Sequence, residues 1–208
     1  MYWRGLHLIL LILCLIPAGC ISLSPQPDPS RFFALASLPQ IKERMARNSP
    51  GTDALTLGIG PVKIPGYLDR QQLVTRVSQN RFAVAENDRW AEPLDENFSR
   101  VLSQNLSILL QTDRIVAYPW ERSQQPAYQV QVEVLRFEPN AEQLVELSAR
   151  WIIVDGAKKT ISSRESYLTH PARDKSTEAS VAAMSDVVGG LSKEIAADIR
   201  ALISEPGR

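Results

Sequence analysis

The chain has 208 residues, of which 44% are apolar, and its 23 basic residues are balanced by 23 acidic ones. This length corresponds to one domain that can bury a substantial core, and the composition is that of a globular protein and not of a disordered or fibrous one. A formal net charge of zero provides no basic surface for nucleic acid, so no nucleic-acid partner is expected.

The first 19 residues have the layout of a secretory signal peptide. Arg4 precedes an apolar run over residues 6–16, and the small residues Ala18 and Gly19 follow before Cys20. As a helix the apolar run would reach roughly 17 Å, about half of the hydrocarbon thickness of a bilayer. It is therefore too short to serve as a membrane span.

Cys20 resembles the lipobox cysteine of bacterial lipoproteins, although Pro17 stands where lipoboxes favour leucine. In that class the sulfur receives diacylglycerol, the chain is cut before the cysteine, and the new amine is acylated. Two or more acyl chains anchor a protein stably, whereas one binds only marginally. The alternative is an ordinary secreted protein with a free thiol at Cys20, which is an awkward group in an oxidising compartment.

The residues after Cys20 indicate which membrane holds the protein and how far the domain can lie from its anchor. Lipoproteins retained in the inner membrane of enteric bacteria commonly have aspartate at the next position, whereas this chain has Ile21, so the resemblance implies an outer-membrane anchor that faces the periplasm. Residues 20–30 contain three prolines and no apolar periodicity, which is typical of an extended tether of roughly 30 Å. The predicted organisation is a signal peptide over 1–19, this tether, and one domain over 31–208.

The first part of the domain favours strands. Residues 31–38 predict a first strand, and the polar residues 40–53 predict a loop. Apolar residues alternate over 55–59 and lead into a segment bounded by Pro61 and Pro65. This pattern predicts a strand that ends at a sheet edge, because proline cannot donate to a strand ladder.

The middle of the chain combines a strand pair with a helix. Residues 73–77 and 81–85 predict two paired strands, and residues 114–118 predict another strand. Pro93 suits the first turn of a helix. The apolar residues of that helix recur every three or four positions: Leu94, Phe98, Val101, Leu102, Leu106, Leu109 and Leu110.

Alternation with a period of two returns in the last third of the chain. Residues 128–134 and 145–153 predict a hairpin through 138–143, with one wet face, and a further strand follows near 161–167. A long amphipathic helix is predicted from about Ser176, weakened near its middle by two successive glycines. The expected fold is a single α+β domain in which two principal amphipathic helices pack on one face of a mostly antiparallel or mixed sheet.

The sequence offers no catalytic or metal-binding constellation. A lipidated Cys20 cannot act as a nucleophile, and His170 is the only histidine of the mature chain. Structural zinc needs clusters of Cys or His, which this chain lacks. Residues 58–60 read Gly-Ile-Gly but lack the third glycine and the following helix of a dinucleotide loop. We therefore expect no enzyme activity, no cofactor and no metal.

One segment stands out as a candidate binding surface. After two prolines and a glycine, Tyr67, Leu68, Asp69 and Arg70 occur together before the next strand. They can form a local turn in which the polar side chains satisfy backbone groups and Tyr67 covers the edge of the core. They can also form a presented contact loop, since Tyr and Arg contribute disproportionately to interface energy.

Two blocks of sequence resemble a known family. The first is Pro-Gly-Tyr-Leu-Asp-Arg at 65–70 with Gln-Leu-Val at 72–74 and Arg76, and the second is Arg-Trp-Ala-Glu-Pro-Leu at 89–94 with the helix residues that follow. Both are similar to the auxiliary lipoproteins of ABC-type transport systems, the PqiC-like group. Gln71 departs from the proline that many members have at this position.

This resemblance implies a periplasm-facing lipoprotein that works with a mammalian-cell-entry (MCE) domain protein, moves lipids between two membranes and supports outer-membrane integrity. It implies a partner contact near Tyr67, Leu68, Asp69, Arg70 and Trp90. It also implies a homo-oligomer, which the residues themselves neither support nor oppose.

Two other functions stay open at this point. A lipoprotein activator or scaffold of a cell-envelope synthase would share the anchor and the small domain, although such proteins usually have a longer tether. A lipid carrier would need an apolar cavity of its own.

Overall fold

The computed structural model describes residues 27–39, 56–121 and 124–204. The predicted signal peptide, Cys20 and most of the tether lie outside these ranges, and so does the loop predicted over 40–53. Expectations about those residues stay predictions.

The described residues form an α+β domain with two helices and eight strands, which confirms the predicted class. The helices are α1 (Leu94–Leu110) and α2 (Thr177–Ser204). The strands are β1 (Arg31–Phe33), β2 (Leu57–Lys63), β3 (Gln72–Ser78), β4 (Arg81–Trp90), β5 (Ile115–Ala117), β6 (Tyr128–Pro139), β7 (Leu144–Asp155) and β8 (Thr160–Pro171). They form two mixed sheets, a small one ordered β1-β4-β3 and a large one ordered β5-β2-β6-β7-β8.

The alternating residues of the large sheet build the core. The predicted hairpin of β6 and β7 is present, and β8 continues it as an antiparallel strand. Cross-strand partners such as Val132 with Trp151 and Val130 with Ile153 share one face, and all four are buried. Both helices pack on this face, where the predicted apolar residues of α1 join the same core. The opposite face keeps the polar residues of the alternation.

The strand that contains Pro61 is not an edge strand along its whole length. Over Leu57–Ile59, β2 lies between β5 and β6 and is parallel to both. Beyond Ile59 only β6 pairs with it, and the register shifts before Val62. The missing amide of Pro61 therefore falls where the β5 side of β2 is already free of partners among the described strands.

The predicted first strand is much shorter than the sequence suggested. β1 ends at Phe33, and the chain then runs in extended form against the helices. The amide of Leu35 donates to Oδ1 of Asn97 at 3.0 Å, and the amide of Leu38 donates to Oδ1 of Asn105 at 2.7 Å. The two asparagines are fully buried on α1, so their side chains replace the strand ladder that the apolar pattern had indicated.

Helix α2 runs unbroken through the two glycines that were expected to weaken it. A Cβ on Gly189 would lie 3.0 Å from Cδ2 of Leu38, and a Cβ on Gly190 would lie 3.4 Å from Cδ1 of Leu168. The small residues therefore let the N-terminal segment and β8 approach the helix closely. This packing offsets the low helix propensity of glycine.

Polar contacts fasten α2 to the edge strand β8. Asp198 of α2 accepts hydrogen bonds from the hydroxyl of Ser162 and from Nε of Arg164, the latter at 3.0 Å. The hydrogen bond from Arg164 lowers the pKa of Asp198 most; burial raises it, and the Ser162 bond lowers it further. The carboxylate is thus held in its charged form by the strand that it contacts.

This contact predicts an acid-sensitive part of the stability. Because the folded-state pKa of Asp198 lies below its ordinary value of 3.8, the interaction stabilises the fold above about pH 4 and is lost as the pH falls through the folded-state pKa. Asp198→Asn should lower the free energy of unfolding at neutral pH, and its difference from the wild type should shrink in acid. Urea unfolding at several pH values measures both.

The matched control is Asp186→Asn, which changes an exposed acid on the same helix. It should leave the pH dependence of unfolding close to that of the wild type. A constant difference between Asp198→Asn and the wild type at every pH would contradict the assignment.

A presented loop above a buried carboxylate

The predicted contact loop connects β2 to β3 and is closed by backbone hydrogen bonds. The amide of Leu68 donates to the carbonyl of Pro65 at 2.9 Å, and the amide of Arg70 donates to the carbonyl of Leu68 at 2.8 Å. At its end the amide of Trp90 donates to the carbonyl of Gln71 at 2.6 Å. The loop is thus a pair of tight turns fixed to the last residue of β4.

The structure separates the predicted contact residues into two groups. Leu68 is 3% exposed and Trp90 is 6% exposed, so both belong to the core and support the loop from below. Asp69 and Arg70 are exposed at its surface. Tyr67 is half-buried and packs against the core, as the local interpretation of this segment expected. A partner that binds this loop would contact the charged side chains of Asp69 and Arg70 first.

Beneath the loop lies the carboxylate of Glu138, near the end of β6. The Glu138 side chain has no exposed surface. It accepts hydrogen bonds from Nε of Arg76 at 2.6 Å, from the Tyr67 hydroxyl at 2.8 Å and from Nε of Arg136 at 3.2 Å. The backbone amide of Phe137 donates a fourth bond at 2.9 Å. A buried charge is tolerated only with partners of this number and kind.

Aromatic rings complete the site around Arg76. The rings of Tyr67 and Phe82 stack with centroids 4.6 Å apart, and the guanidinium carbon of Arg76 lies 4.3 Å from the centroid of Phe82. Burial raises the pKa of Tyr67 strongly, and the hydrogen bond to Glu138 raises it further. The hydroxyl therefore stays protonated and keeps donating to the carboxylate. We call Tyr67, Arg76, Phe82, Arg136 and Glu138 the Glu138 cluster.

The Glu138 cluster continues into the large sheet. Nη1 of Arg136 lies 2.9 Å from Oε2 of Glu146 on β7, and the hydroxyl of Tyr167 on β8 donates to the same oxygen at 3.2 Å. Two guanidinium groups therefore face two carboxylates, and the charges compensate one another. Every named atom is engaged in holding strands and loop together, so the arrangement suits the support of a binding surface.

The other residues singled out in the sequence have structural positions. Gly58 and Gly60 lie within β2, where a Cβ on Gly58 would come within 2.8 Å of the ring of Trp120. Close approach of an aromatic ring explains a glycine here without a phosphate ligand. His170 is exposed, with Nε2 3.8 Å from Oδ2 of Asp186.

The described residues contain no group of three or more His, Cys, Asp or Glu side chains that could hold a metal ion. Among the described helices, none has the length and apolar character that a bilayer crossing requires.

Removal of the buried charge should destabilise the domain. Glu138→Gln removes the carboxylate that pairs with Arg76 in a largely buried site and leaves Arg136 with Glu146 alone, so the free energy of unfolding should fall by about 3–5 kcal/mol. Chemical denaturation followed by circular dichroism measures this loss. The control is Glu133→Gln, an exposed position on the same strand whose pair with Arg150 spans 4.0 Å; its effect should stay within about 0.5 kcal/mol. Equal effects of both substitutions would contradict the role of Glu138.

Solved structures with the same architecture exist. A crystal structure of an uncharacterized protein superposes with a TM-score of 0.67 at 21% sequence identity, covering 82% of this chain and 98% of that one. Protein XCC0632 from Xanthomonas campestris superposes with a TM-score of 0.61 at 14% identity, covering 82% of this chain and 99% of that one. These likenesses concern the fold.

Sequence comparison identifies relatives with a described role. Over 97 residues the chain is 28% identical to the intermembrane transport lipoprotein PqiC of Escherichia coli strain K12, and equally to that of Shigella flexneri. The match covers 47% of this chain and 50% of either relative, so the chain spans about half the length of these curated relatives. The family described as ABC-type transport auxiliary lipoprotein component matches residues 37–196, which include both the loop and the Glu138 cluster. The chain therefore belongs to the family of ABC-type transport auxiliary lipoprotein components.

Proposed function

We propose that this protein is a lipid-anchored adaptor of an intermembrane lipid transport system. Acylated Cys20 holds it in the outer membrane, facing the periplasm, and the loop with Asp69 and Arg70 contacts an MCE-domain partner. In this role it supports the integrity of the outer membrane. Family membership and the similarity to the intermembrane transport lipoprotein PqiC support the transport role. Self-association into a homo-oligomer stays a prediction of the family resemblance.

The observation on which the proposal depends is the construction of the loop. Its side chains Asp69 and Arg70 are exposed. The same loop is held by Leu68, which is buried in the core, and by Tyr67, whose hydroxyl donates a hydrogen bond to Glu138. A loop held in one conformation loses little entropy when a partner binds, so its charged groups can contribute fully to affinity and specificity.

The direction of the N-terminal chain bears on where the loop lies relative to the tether. β1 pairs in parallel with β4, from Arg31 opposite Asp88 to Phe33 opposite Trp90. The chain that arrives from the tether therefore advances along β4 towards Trp90, where Gln71 closes the loop. The loop lies at the end of the small sheet towards which the anchored chain runs.

Loss of the anchor should separate the protein from the membrane. Cys20→Ala, expressed in a strain that lacks the native gene, should shift the protein from the membrane to the soluble periplasmic fraction, because no acyl chains remain to bind the bilayer. It should also fail to restore resistance to detergents. Peptidoglycan crosslinking should stay unchanged; altered crosslinking with normal detergent resistance would instead indicate the activator of a cell-envelope synthase.

Charge reversal in the loop should weaken partner binding without unfolding the domain. Arg70→Glu should reduce the recovery of a tagged MCE-domain subunit from solubilised membranes by about tenfold or more, the effect of losing about 1.4 kcal/mol. The matched control is Arg81→Glu, which reverses an exposed arginine where β4 begins, at the other end of that strand. Equal recovery with both variants would remove the loop from the interface.

A further inference from the structure

Phe32 is the exception among the exposed aromatic side chains. The residue is 63% exposed, whereas every other phenylalanine of the described residues is buried or half-buried. The other strongly exposed aromatic residues in the described ranges are Tyr118 and Tyr167, each of which carries a polar hydroxyl. An exposed phenylalanine alone requires no explanation, since such residues occur singly on most protein surfaces. Its position in the chain gives it significance.

The neighbours of Phe32 fix the direction of its ring. Arg31 donates from Nε to Oδ1 of Asp88 at 2.7 Å, and Asp88 also accepts from the hydroxyl of Thr177 on α2. Strand alternation then places Phe32 on the opposite side, away from α2 and next to its cross-strand partner Arg89. β1 is one of the two edge strands of the small sheet. The ring thus lies at an edge that no described strand covers, and it faces away from the helices.

The tether keeps this edge close to the anchored sulfur. Phe32 is only twelve positions after Cys20, and even a fully extended proline-rich chain of that length reaches roughly 37 Å. From Arg31 onwards the chain is fixed to β4 and α1, so no further slack is available. Among the exposed aromatic residues, Phe32 is therefore the one that the anchor confines to the neighbourhood of the bilayer.

We propose that Phe32 forms a second membrane contact, in which its ring enters the interface of the bilayer that holds Cys20. The inference rests on the proposed acylation of Cys20. The occupant of this edge is the lipid surface, because the chain length allows the ring to reach it and the ring has no polar atom to satisfy.

The contact combines an apolar ring with a neighbouring cation. Arg31 is paired with Asp88 and lies 3.6 Å from Glu178, so its charge is compensated within the protein. Arg89 lies next to Phe32 on the same side of the sheet, and its Nε has no hydrogen-bond partner among the described residues. Anionic lipid should therefore strengthen the contact, and high salt should weaken only this ionic part. The consequence of the contact is a preferred orientation of the domain on the membrane, with the edge of β1 towards the lipid.

Site-directed fluorescence on the acylated protein tests the contact. After cleavage Cys20 is the only cysteine, and its sulfur is alkylated, so Phe32→Cys and Tyr118→Cys each introduce a single free thiol. Each variant is labelled with a nitrobenzoxadiazole probe and reconstituted in vesicles of phosphatidylethanolamine and phosphatidylglycerol. Tyr118 is the control because it is 53% exposed but lies beside β5 of the large sheet.

The probe at position 32 should be shielded from water more than the probe at position 118. Aqueous iodide should quench the probe at position 32 at least about threefold less than the probe at position 118, and brominated acyl chains should show the reverse order. Equal quenching of both probes on vesicle-bound protein would overturn the membrane contact and leave the anchor intact. Shielding of position 32 only after an MCE-domain partner is added would also overturn it, in favour of a protein interface. Failure of the protein to float with the vesicles would overturn the proposed anchoring itself.

Discussion

The buried charge of Glu138 is the constraint on which the arrangement of the two sheets depends. A carboxylate without exposed surface must be matched by donors, and the donors come from β3, from β6 and from the loop that follows β2. Hydrophobic packing alone would tolerate a range of angles between the small sheet and the large one. Hydrogen bonds with fixed directions to one carboxylate reduce this range, so the loop with Asp69 and Arg70 has one position relative to the core.

Local patterns in the sequence predicted most of the elements. The periodicity of α1, the hairpin of β6 and β7, and the pair of β3 and β4 are confirmed, because each depends on residues that are close in the chain. The partition into two sheets was not predicted. It depends on the parallel pairing of β1 with β4 and of β2 with β5 and β6, between segments far apart in sequence, and residue patterns do not encode such pairings.

The candidate site, too, could be predicted from the sequence only in part. Tyr67 to Arg70 could be selected from the sequence, because turn residues next to Tyr and Arg form a recognisable combination. Glu138 could not be selected, since its partner Arg76 is 62 positions away and a lone glutamate beside a turn usually faces water. The one local signal was Arg136 two residues earlier on the same strand. Burial of Leu68 and Trp90 likewise follows from tertiary packing and not from their neighbours in sequence.

The parallel pairing of β1 with β4 has a mechanical consequence. A force applied to the chain just before Arg31 and directed along β1 acts parallel to its pairing with β4. The ladder of β1, the ion pair of Arg31 with Asp88 and the amides held by Asn97 and Asn105 then bear the load together, in shear, instead of opening one after another. The domain can thus resist tension on its N-terminal segment through a strand of only three residues.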